Sequence, residues 1–269
     1  MGSKTTMSRR SRFGGVPTVL SDAATDPDGQ LALLAEPAVP RSTSEPLPDV
    51  IHVPDWLDLD VQRALVDDFR RWALPPAGLR HPRVLTGHLM TVQSVCLGWH
   101  WYPYAYTRTA DDTDGAPVKP LPADLISLSR DAVAVAYGAD SPEARSYAPD
   151  AAIVNLYGDG ARLGLHQDGE EPSDAPVVTI SLGDECTFRL AGPDRRTGPF
   201  TDIVLRSGDL LVFGRRNRRI FHGVPRVDPR TAPSGLGLPP GRLSITVRET
   251  GLEVPNRPDA RRGERAALR

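Results

Sequence analysis

This 269-residue chain contains three residues suited to metal-dependent chemistry: His166, Asp168 and, far downstream, His222. Residues two apart on a β-strand point to the same face, so His166 and Asp168 can bind one ion together. His222 lies in the apolar run 220–224, where a buried imidazole needs a partner, and we expect it on a partner strand across a barrel mouth. Two imidazoles and one carboxylate form the facial triad of non-haem Fe(II) oxygenases, so we predict that these residues are the metal ligands and the catalytic centre.

Two arginines near the end of the chain could bind the co-substrate of such an iron site. Arg242 and Arg248 are six residues apart, and even spacing on one strand places both on the same face. Guanidinium groups fit carboxylates, and 2-oxoglutarate, the usual co-substrate at such iron sites, has a carboxylate at each end. The pattern therefore predicts a clamp for 2-oxoglutarate. The alternative is that both arginines lie on a solvent face and pair with surface acids.

Eight short apolar runs must position these side chains. They alternate with Gly, Pro and Asp turns and cover residues 152–157, 162–167, 176–182, 186–191, 200–206, 209–213, 219–224 and 242–249. Strands at this spacing predict a closed double sheet. Upstream, apolar residues at helical spacing predict helices over 59–74 and 124–137. The expected fold is mainly β with flanking helices (α+β), built on a double-stranded β-helix, or jelly-roll, core.

The same patterns divide the chain into four regions. Residues 1–47 are rich in Ser, Thr, Pro, Asp and Arg without a long apolar face, so we expect them to be disordered. Residues 48–150 hold the N-terminal helices, and residues 151–252 form the predicted catalytic core. The polar residues 253–269 are expected to be a flexible tail.

Charge and cysteine content limit the setting and the partners. The formal charge of −2 excludes a uniformly basic surface for nucleic acid, but seven arginines between residues 195 and 219 leave room for a local basic groove. The two cysteines, Cys96 and Cys186, have no CxxC neighbour, which argues against a disulfide framework or a zinc site. This cysteine content fits a reduced, cytoplasmic setting. No run of 18 apolar residues exists, so we expect no transmembrane helix and no membrane partner. We also expect the protein to be a monomer.

An aromatic cluster lies between the two predicted helices. Five aromatic residues occur within eight positions: Trp99, Trp101, Tyr102, Tyr104 and Tyr106. Such residues often form a hydrophobic core, but aromatic rings also stack on bases in proteins that bind single strands or flipped nucleotides. We expect at least one of Trp99, Tyr104 and Tyr106 to stack on a base, and the other two aromatics to lie in the core.

Several motifs resemble the AlkB family of Fe(II)/2-oxoglutarate-dependent nucleic-acid demethylases. The most specific is N-x-Y-x-x-G-A-x-L-x-L-H-Q-D at 155–168, and the runs 178–183, 208–214 and 221–223 are also similar to the family. The similarity covers about residues 85–250. It implies Fe(II), 2-oxoglutarate and O2 as cofactors, hydroxylation of an N-methyl group on a flipped base, and release of formaldehyde.

The resemblance also implies roles for individual residues. The implied 2-oxoglutarate-binding residues are Asn155, Tyr157, Arg242, Ser244 and Arg248. Within the region 48–150 it implies a nucleotide-recognition lid, and the implied substrate-binding residues are Trp99, Tyr104, Tyr106, Arg162, Glu170 and Arg195. The best-known bacterial members carry Asn where this chain has Ser244 and Asp where it has Glu170, and their Trp-to-Tyr spacing in the lid is longer.

The resemblance implies reversal of alkylation damage, with 1-methyladenine and 3-methylcytosine as expected lesions. The expected partner is single-stranded or double-stranded DNA, and RNA, including tRNA, stays an open alternative. Two other functions stay open: a 2-oxoglutarate-dependent hydroxylase of a small molecule or protein, and a non-enzymatic β-barrel binding protein with a vestigial site. A carboxylate at Glu170 would favour the cationic lesions. The alternative is that Glu170, like Glu171, is a solvated loop acid.

Overall fold

The computed structural model of the chain describes residues 40–84, 86–102 and 104–252. The described helices are α1 (Leu59–Ala73), α2 (Ala123–Tyr137) and α3 (Pro142–Ser146). The described strands are β1 (Ser44–Leu47), β2 (Val50–Val53), β3 (Gln93–Leu97), β4 (His100–Tyr102), β5 (Ala105–Thr107), β6 (Ala151–Tyr157), β7 (Leu163–His166), β8 (Val177–Gly183), β9 (Glu185–Ala191), β10 (Phe200–Leu205), β11 (Leu210–Phe213), β12 (Phe221–Asp228) and β13 (Arg242–Arg248).

Two antiparallel sheets form the core of the molecule. The larger has the strand order β1-β2-β11-β8-β13-β6-β3, and the smaller has the order β10-β9-β12-β7. Each of the eight predicted strands corresponds to one of β6 to β13, so the expected mainly β architecture is confirmed. The short strands β4 and β5 form a separate hairpin. In the described ranges, no helix is both long and apolar enough to cross a membrane.

The side-chain alternation along β13 shows how the large sheet divides the interior. Leu243, Ile245 and Val247 lie in a hydrophobic cluster with residues of α1 and α2. The residues between them, including Arg242 and Ser244, therefore face the smaller sheet, because neighbours on a strand point in opposite directions. One face of the large sheet thus packs against the helices and is apolar, and the other face lines a more polar interior.

Both predicted long helices are present, with ends set by local chemistry. The Asp58 carboxylate accepts a hydrogen bond from the Val61 amide at 2.9 Å and caps the start of α1. The helix ends at Ala73, one residue before the predicted end, because Leu74 precedes a proline and adopts an extended conformation. Helix α2 ends at Gly138, whose φ of 90° suits glycine.

The N-terminal part contributes more to the sheet than the sequence predicts. Disorder up to residue 47 is wrong for Ser44–Leu47, which forms β1 and pairs with β2. Strand β2 in turn pairs with β11, and β3 pairs with β6, so the boundary predicted at residue 150 does not separate the core sheet from the preceding region. These strands are too short for a periodic pattern, and the partners that bring β2 and β3 into the sheet are distant in sequence. Residues 1–39 and 253–269 lie outside the described residues.

Candidate active site

The three predicted metal ligands are brought together at one end of the smaller sheet. His166 is the last residue of β7 and lies directly opposite His222 of β12 in the antiparallel register. Asp168 follows two residues after β7, and its carboxylate oxygens lie 3.8 Å from His166 Nε2 and 3.9 Å from His222 Nε2. All three ligand atoms are within 4.8 Å of one another. This spacing allows each to bind a single ion at about 2 Å.

The histidine tautomers are set by backbone carbonyls. His166 Nδ1 lies 2.9 Å from the Gly164 carbonyl, and His222 Nδ1 lies 3.2 Å from the Ile220 carbonyl. Because a carbonyl oxygen can only accept, each Nδ1 donates a proton and each Nε2 keeps its lone pair for a metal. Burial, followed by the charge of His166, lowers the pKa of His222 to about 4, so this imidazole is neutral at pH 7.

Asp168 is held as a buried carboxylate. It is 5% exposed, and Arg248 Nη2 lies 3.0 Å from its Oδ2. Burial raises the pKa of Asp168, but the Arg248 guanidinium and then His222 and His166 outweigh burial and hold this pKa below its ordinary value. A buried carboxylate beside two imidazoles is a nitrogen and oxygen donor set that fits Fe(II).

Arg242 lies in the interior between the two sheets and has the properties of an anion-binding residue. Its side chain is fully buried, and its Nε, Nη1 and Nη2 atoms have no hydrogen-bond partner among the described residues. A buried guanidinium without a partner is costly, so this position needs a carboxylate or similar anion. The ring of Tyr157 lies beside it, with its centroid 5.1 Å from Arg242 Cζ. Burial raises the pKa of Tyr157 to about 12, so its phenol stays protonated.

A row of small polar residues crosses the large sheet on the same face. Ser94, Asn155, Ser244 and Ser181 lie opposite one another on β3, β6, β13 and β8. The Ser94 hydroxyl donates to Asn155 Oδ1 at 2.6 Å, which orients the amide. The predicted residues Asn155 and Ser244 are therefore close to Arg242 in register, while Ser94 and Ser181 were missed. The sequence feature that could have indicated Ser94 and Ser181 is a polar residue at an inward-facing position of an otherwise apolar strand.

Arg248 also points inward, so the solvent-face alternative is wrong for both arginines. Its surroundings nevertheless differ from those of Arg242. Arg248 Nη1 donates to Glu171 Oε1 at 2.7 Å and to the Tyr106 hydroxyl at 3.2 Å, while Nη2 faces Asp168. Within the described residues, only its Nε lacks a partner. The structure therefore presents one unpaired and one largely paired arginine, rather than two equivalent halves of a clamp.

Glu171 is a buried charged residue of the site that the sequence interpretation missed. It was taken as a solvated loop acid, but it is 1% exposed. Its Oε2 lies 3.4 Å from Arg218 Nη2, while Oε1 accepts from Arg248 and Tyr106. Burial raises the pKa of Glu171, but the Arg248 charge and the hydrogen bonds from Tyr106 and Arg248 together outweigh it and lower this pKa overall. Two arginines distant in sequence draw this carboxylate inside, which no local pattern indicates.

Comparisons with known proteins agree with this geometry. A family model described as the 2OG-Fe(II) oxygenase superfamily matches residues 49–248. An Alpha-ketoglutarate-dependent dioxygenase AlkB homolog of Caulobacter vibrioides is 36% identical over 201 residues, covering 72% of this chain and 84% of that protein. The chain belongs to the AlkB family of 2OG-Fe(II) oxygenases.

Two further AlkB-related proteins extend the comparison. The DNA N(6)-methyladenine demethylase ALKBH1D of Arabidopsis thaliana is 32% identical over 219 residues, covering 75% of this chain and 49% of that protein. The chain thus spans about half the length of this plant relative. The solved structure of OsALKBH1 matches with a TM-score of 0.69 at 30% identity, covering 77% of this chain and 99% of that chain. The predicted jelly-roll fold and the predicted membership of an Fe(II)- and 2-oxoglutarate-dependent oxygenase family are confirmed.

The three aromatic residues that the AlkB resemblance assigns to substrate lie in different surroundings. Trp99 Nε1 donates to Asp150 at 3.0 Å, and one ring face is covered by Arg108, whose Cζ is 3.6 Å from the ring centroid. Tyr106 on β5 is turned inward, because its hydroxyl donates to Glu171. Tyr104, at the turn between β4 and β5, is 59% exposed. Trp101 and Tyr102, expected in the core, are only partly buried on β4.

The basic residues predicted to contact substrate are at the surface. Arg162 and Arg195 are both exposed, in the loops that precede β7 and β10. The neighbouring Arg196 reaches β7: its Nη2 lies 3.7 Å from the position that a β-carbon on Gly164 would occupy. Gly164 shares a strand face with His166, so Arg196 is closer to the metal-binding strand than the sequence indicated.

The arginines at 215–219, within the region expected to offer a local basic groove, pair with acids and carbonyls of the protein. Arg215 and Arg216 pair with Asp49, and Arg215 also pairs with Glu143. Arg218 is buried against Glu171 and backbone carbonyls. These charges are used within the protein, because acids from distant segments lie beside them.

Glu170 is partly buried in the turn after Asp168. Burial, followed by the nearby charges of Glu171 and Asp168, raises the pKa of Glu170 above its usual range. Its position next to the metal ligand is consistent with a place at the pocket mouth.

Proposed function

We propose that this chain removes N-linked alkyl groups from nucleic-acid bases by Fe(II)- and 2-oxoglutarate-dependent oxidation. The observation that carries the proposal is Arg242: a buried guanidinium without a partner among the described residues, inside the same barrel as the metal triad. A dicarboxylate co-substrate supplies the missing anion. A binding protein with a vestigial site would not need to keep both features together.

The protein side chains hold and orient the reactants. Arg242 and the Tyr157 phenol bind the carboxylate of 2-oxoglutarate that lies away from the metal, and Asn155 and Ser244 line the path towards the triad. When bound, Fe(II) with O2 and 2-oxoglutarate supplies the oxidising chemistry, and the hydroxylated methyl group leaves the base as formaldehyde. Asp168 and the two histidines leave one side of the ion open for these reactants.

The surface around the triad supports a nucleic-acid substrate. Enzymes that modify a base take it out of the stack and bind it between aromatic or apolar side chains. Tyr104 is the exposed aromatic residue of the hairpin and is our choice for this contact, while Arg162 and Arg195 supply positive charge for phosphates. Single-stranded DNA is the preferred substrate, because extrusion of the base costs least there. A monomeric state and a cytoplasmic setting stay predictions.

Two classes of methylated base compete as the substrate. The partly buried Glu170 favours 1-methyladenine and 3-methylcytosine, which are cations near neutral pH. The similarity to a plant DNA N(6)-methyladenine demethylase favours the neutral base N6-methyladenine as the second candidate.

The test is mass spectrometry of single-stranded DNA and RNA oligonucleotides carrying each of these bases after incubation with the chain, Fe(II), ascorbate and 2-oxoglutarate. We expect loss of the methyl group from at least one methylated DNA and no change with the His166→Ala variant. If every oligonucleotide stays methylated while a small molecule or a protein stimulates 2-oxoglutarate consumption, the nucleic-acid assignment is wrong.

A further inference from the structure

We infer that Tyr106 is a positioning residue that joins the β4–β5 hairpin to the metal and co-substrate site through Glu171 and Arg248. The inference rests on the proposed function for the identity of the ligands, but its structural basis is independent. A hydroxyl on the aromatic hairpin is hydrogen-bonded to the same carboxylate that holds an arginine beside a metal ligand.

The hairpin depends on side chains for its position. It has only three residue pairs, and in the described part of the chain neither strand pairs with the two large sheets. Two-stranded hairpins are marginally stable on their own. His100 at its start is fixed by Asp112 at 2.6 Å, and Arg80 donates to the Trp101 carbonyl. These contacts fix strand β4 to the rest of the protein. Strand β5 needs a contact of its own.

Tyr106 supplies that attachment on β5. Its hydroxyl donates to Glu171 Oε1 at 2.5 Å and accepts from Arg248 Nη1 at 3.2 Å. Burial raises the pKa of Tyr106 well above its ordinary value, so the phenol is a constant donor. Charge-assisted hydrogen bonds of this kind are the stronger ones in proteins. Glu171 and Arg248 are 1% and 5% exposed, so water does not readily replace the phenol.

The contact continues to the metal site. Arg248 is shared between Glu171 Oε1 at 2.7 Å and Asp168 Oδ2 at 3.0 Å. When the hairpin is in this position, Oε1 of Glu171 accepts from both Tyr106 and Arg248, and Arg248 is held facing Asp168. When Tyr106 moves away, Oε1 of Glu171 keeps Arg248 as its one donor among the described residues, which draws the guanidinium away from Asp168. The seating of the hairpin and the orientation of a metal ligand are therefore linked.

This link predicts coupling between the two reactants. Tyr104, the proposed base contact, lies two residues before Tyr106, so a bound nucleotide and a seated hairpin favour each other. A seated hairpin orders Arg248 and Asp168, and hence the place where 2-oxoglutarate meets the metal. By thermodynamic linkage, each ligand must then strengthen the binding of the other by the same factor.

The first test does not require a nucleic acid. Amide hydrogen exchange of residues 100–102 and 104–107 is followed in the full chain with Mn(II), before and after addition of 2-oxoglutarate. We expect 2-oxoglutarate to slow exchange in the wild type and to have no such effect in Tyr106→Phe. The control is Tyr102→Phe, which removes a hydroxyl from the same hairpin and should behave as the wild type. Equal slowing in Tyr106→Phe and the wild type would overturn the inference.

The second test measures the coupling itself. Binding of 2-oxoglutarate to the Mn(II)-loaded chain is titrated with and without a methylated single-stranded oligonucleotide. We expect the oligonucleotide to tighten binding at least about fivefold in the wild type and less than about twofold in Tyr106→Phe. An unchanged coupling factor in the variant would contradict a positioning role.

Two outcomes separate this inference from the proposed function. If no methylated oligonucleotide binds, the substrate assignment fails, while the hydrogen-exchange result still decides the role of Tyr106. If Tyr106→Phe does not fold, Glu171→Gln replaces it, because the amide keeps the shape but loses the charge that attracts both donors. The inference then requires the exchange response to be lost in Glu171→Gln as well, and a retained response would overturn it.

Discussion

Arg242 and Arg248 lie at opposite ends of the same face of β13, and their surroundings differ. Both are nearly or fully buried. Arg242 has three nitrogen atoms without partners among the described residues, whereas Arg248 is shared between Asp168, Glu171 and Tyr106. The same residue type at the same kind of position therefore has two kinds of surroundings. We propose that one guanidinium binds an external anion, whereas the other pairs with acids of the protein.

The comparison explains how one strand serves two purposes. At the Arg242 end, small polar residues and the Tyr157 phenol leave a polar space beside a cation. At the Arg248 end, acids from the segment after β7 bring the metal ligand and the aromatic hairpin together. Ligand binding should thus depend mainly on the first end, and stability and order mainly on the second.

The largest expected effect comes from the metal ligand next to the paired end. Asp168→Ala removes one of three ligands and one partner of Arg248, so succinate formation should fall by at least about 100-fold. Metal binding, measured by titration, should weaken in parallel. Asp140→Ala, which removes an exposed acid, is the control and should keep wild-type turnover. Turnover close to that of the wild type in Asp168→Ala would mean that the triad is not the metal site.

The unpaired end should control co-substrate affinity. Arg242→Met should weaken 2-oxoglutarate binding by roughly 100-fold or more, because breaking a buried ion pair costs about 3–5 kcal/mol. Without 2-oxoglutarate, the variant should be at least as stable as the wild type, because an unpaired buried charge is removed. Isothermal titration and thermal unfolding check the two parts. A variant that binds 2-oxoglutarate normally would remove Arg242 from the site.

The paired end should control stability. Arg248→Met leaves the buried Asp168 carboxylate without its arginine partner and leaves Glu171 with Arg218 alone, so the free energy of unfolding should fall by about 3–5 kcal/mol. Chemical denaturation of the ligand-free protein measures this loss. If Arg248→Met is as stable as Arg242→Met, the contrast between the two ends of β13 does not hold.

The smallest expected effect concerns the base. Glu170→Ala should lower repair of 1-methyladenine several-fold more than repair of the neutral lesion 1-methylguanine, because a carboxylate beside the pocket attracts a cation. The affinity for 2-oxoglutarate should not change. Equal losses on both lesions, or no loss on either, would show that Glu170 does not select for charge.

The comparison also shows what the sequence could reveal. Even spacing was enough to place Arg242 and Arg248 on one inward face, and the HxD spacing with a distant apolar His was enough for the triad. The sequence did not indicate that Arg248 is paired with acids of the protein whereas Arg242 is not. Glu171 contacts Arg218 and Arg248 from 47 and 77 residues away, and only the folded chain brings them together. The same holds for Tyr106, whose partner is set by the fold and not by the aromatic pattern.

The strands likewise divide into those that a local pattern predicts and those that depend on distant partners. The runs that became β6 to β13 each have several alternating or apolar residues, and all were found. Strand β2 is placed by pairing with the distant strand β11, and β1 pairs with β2, so the local sequence carries little signal for either. The position of the hairpin relative to the triad likewise depends on contacts such as that of Tyr106 with Glu171.

The most direct test of the proposed function is the stoichiometry of the reaction on a methylated single-stranded DNA. Succinate, formaldehyde and restored base are quantified together in one incubation with Fe(II), O2 and 2-oxoglutarate. We expect the three products to form in equal amounts and formaldehyde to be absent with unmethylated DNA. Succinate formed at the same rate with methylated and unmethylated DNA, without formaldehyde or restored base, would contradict it.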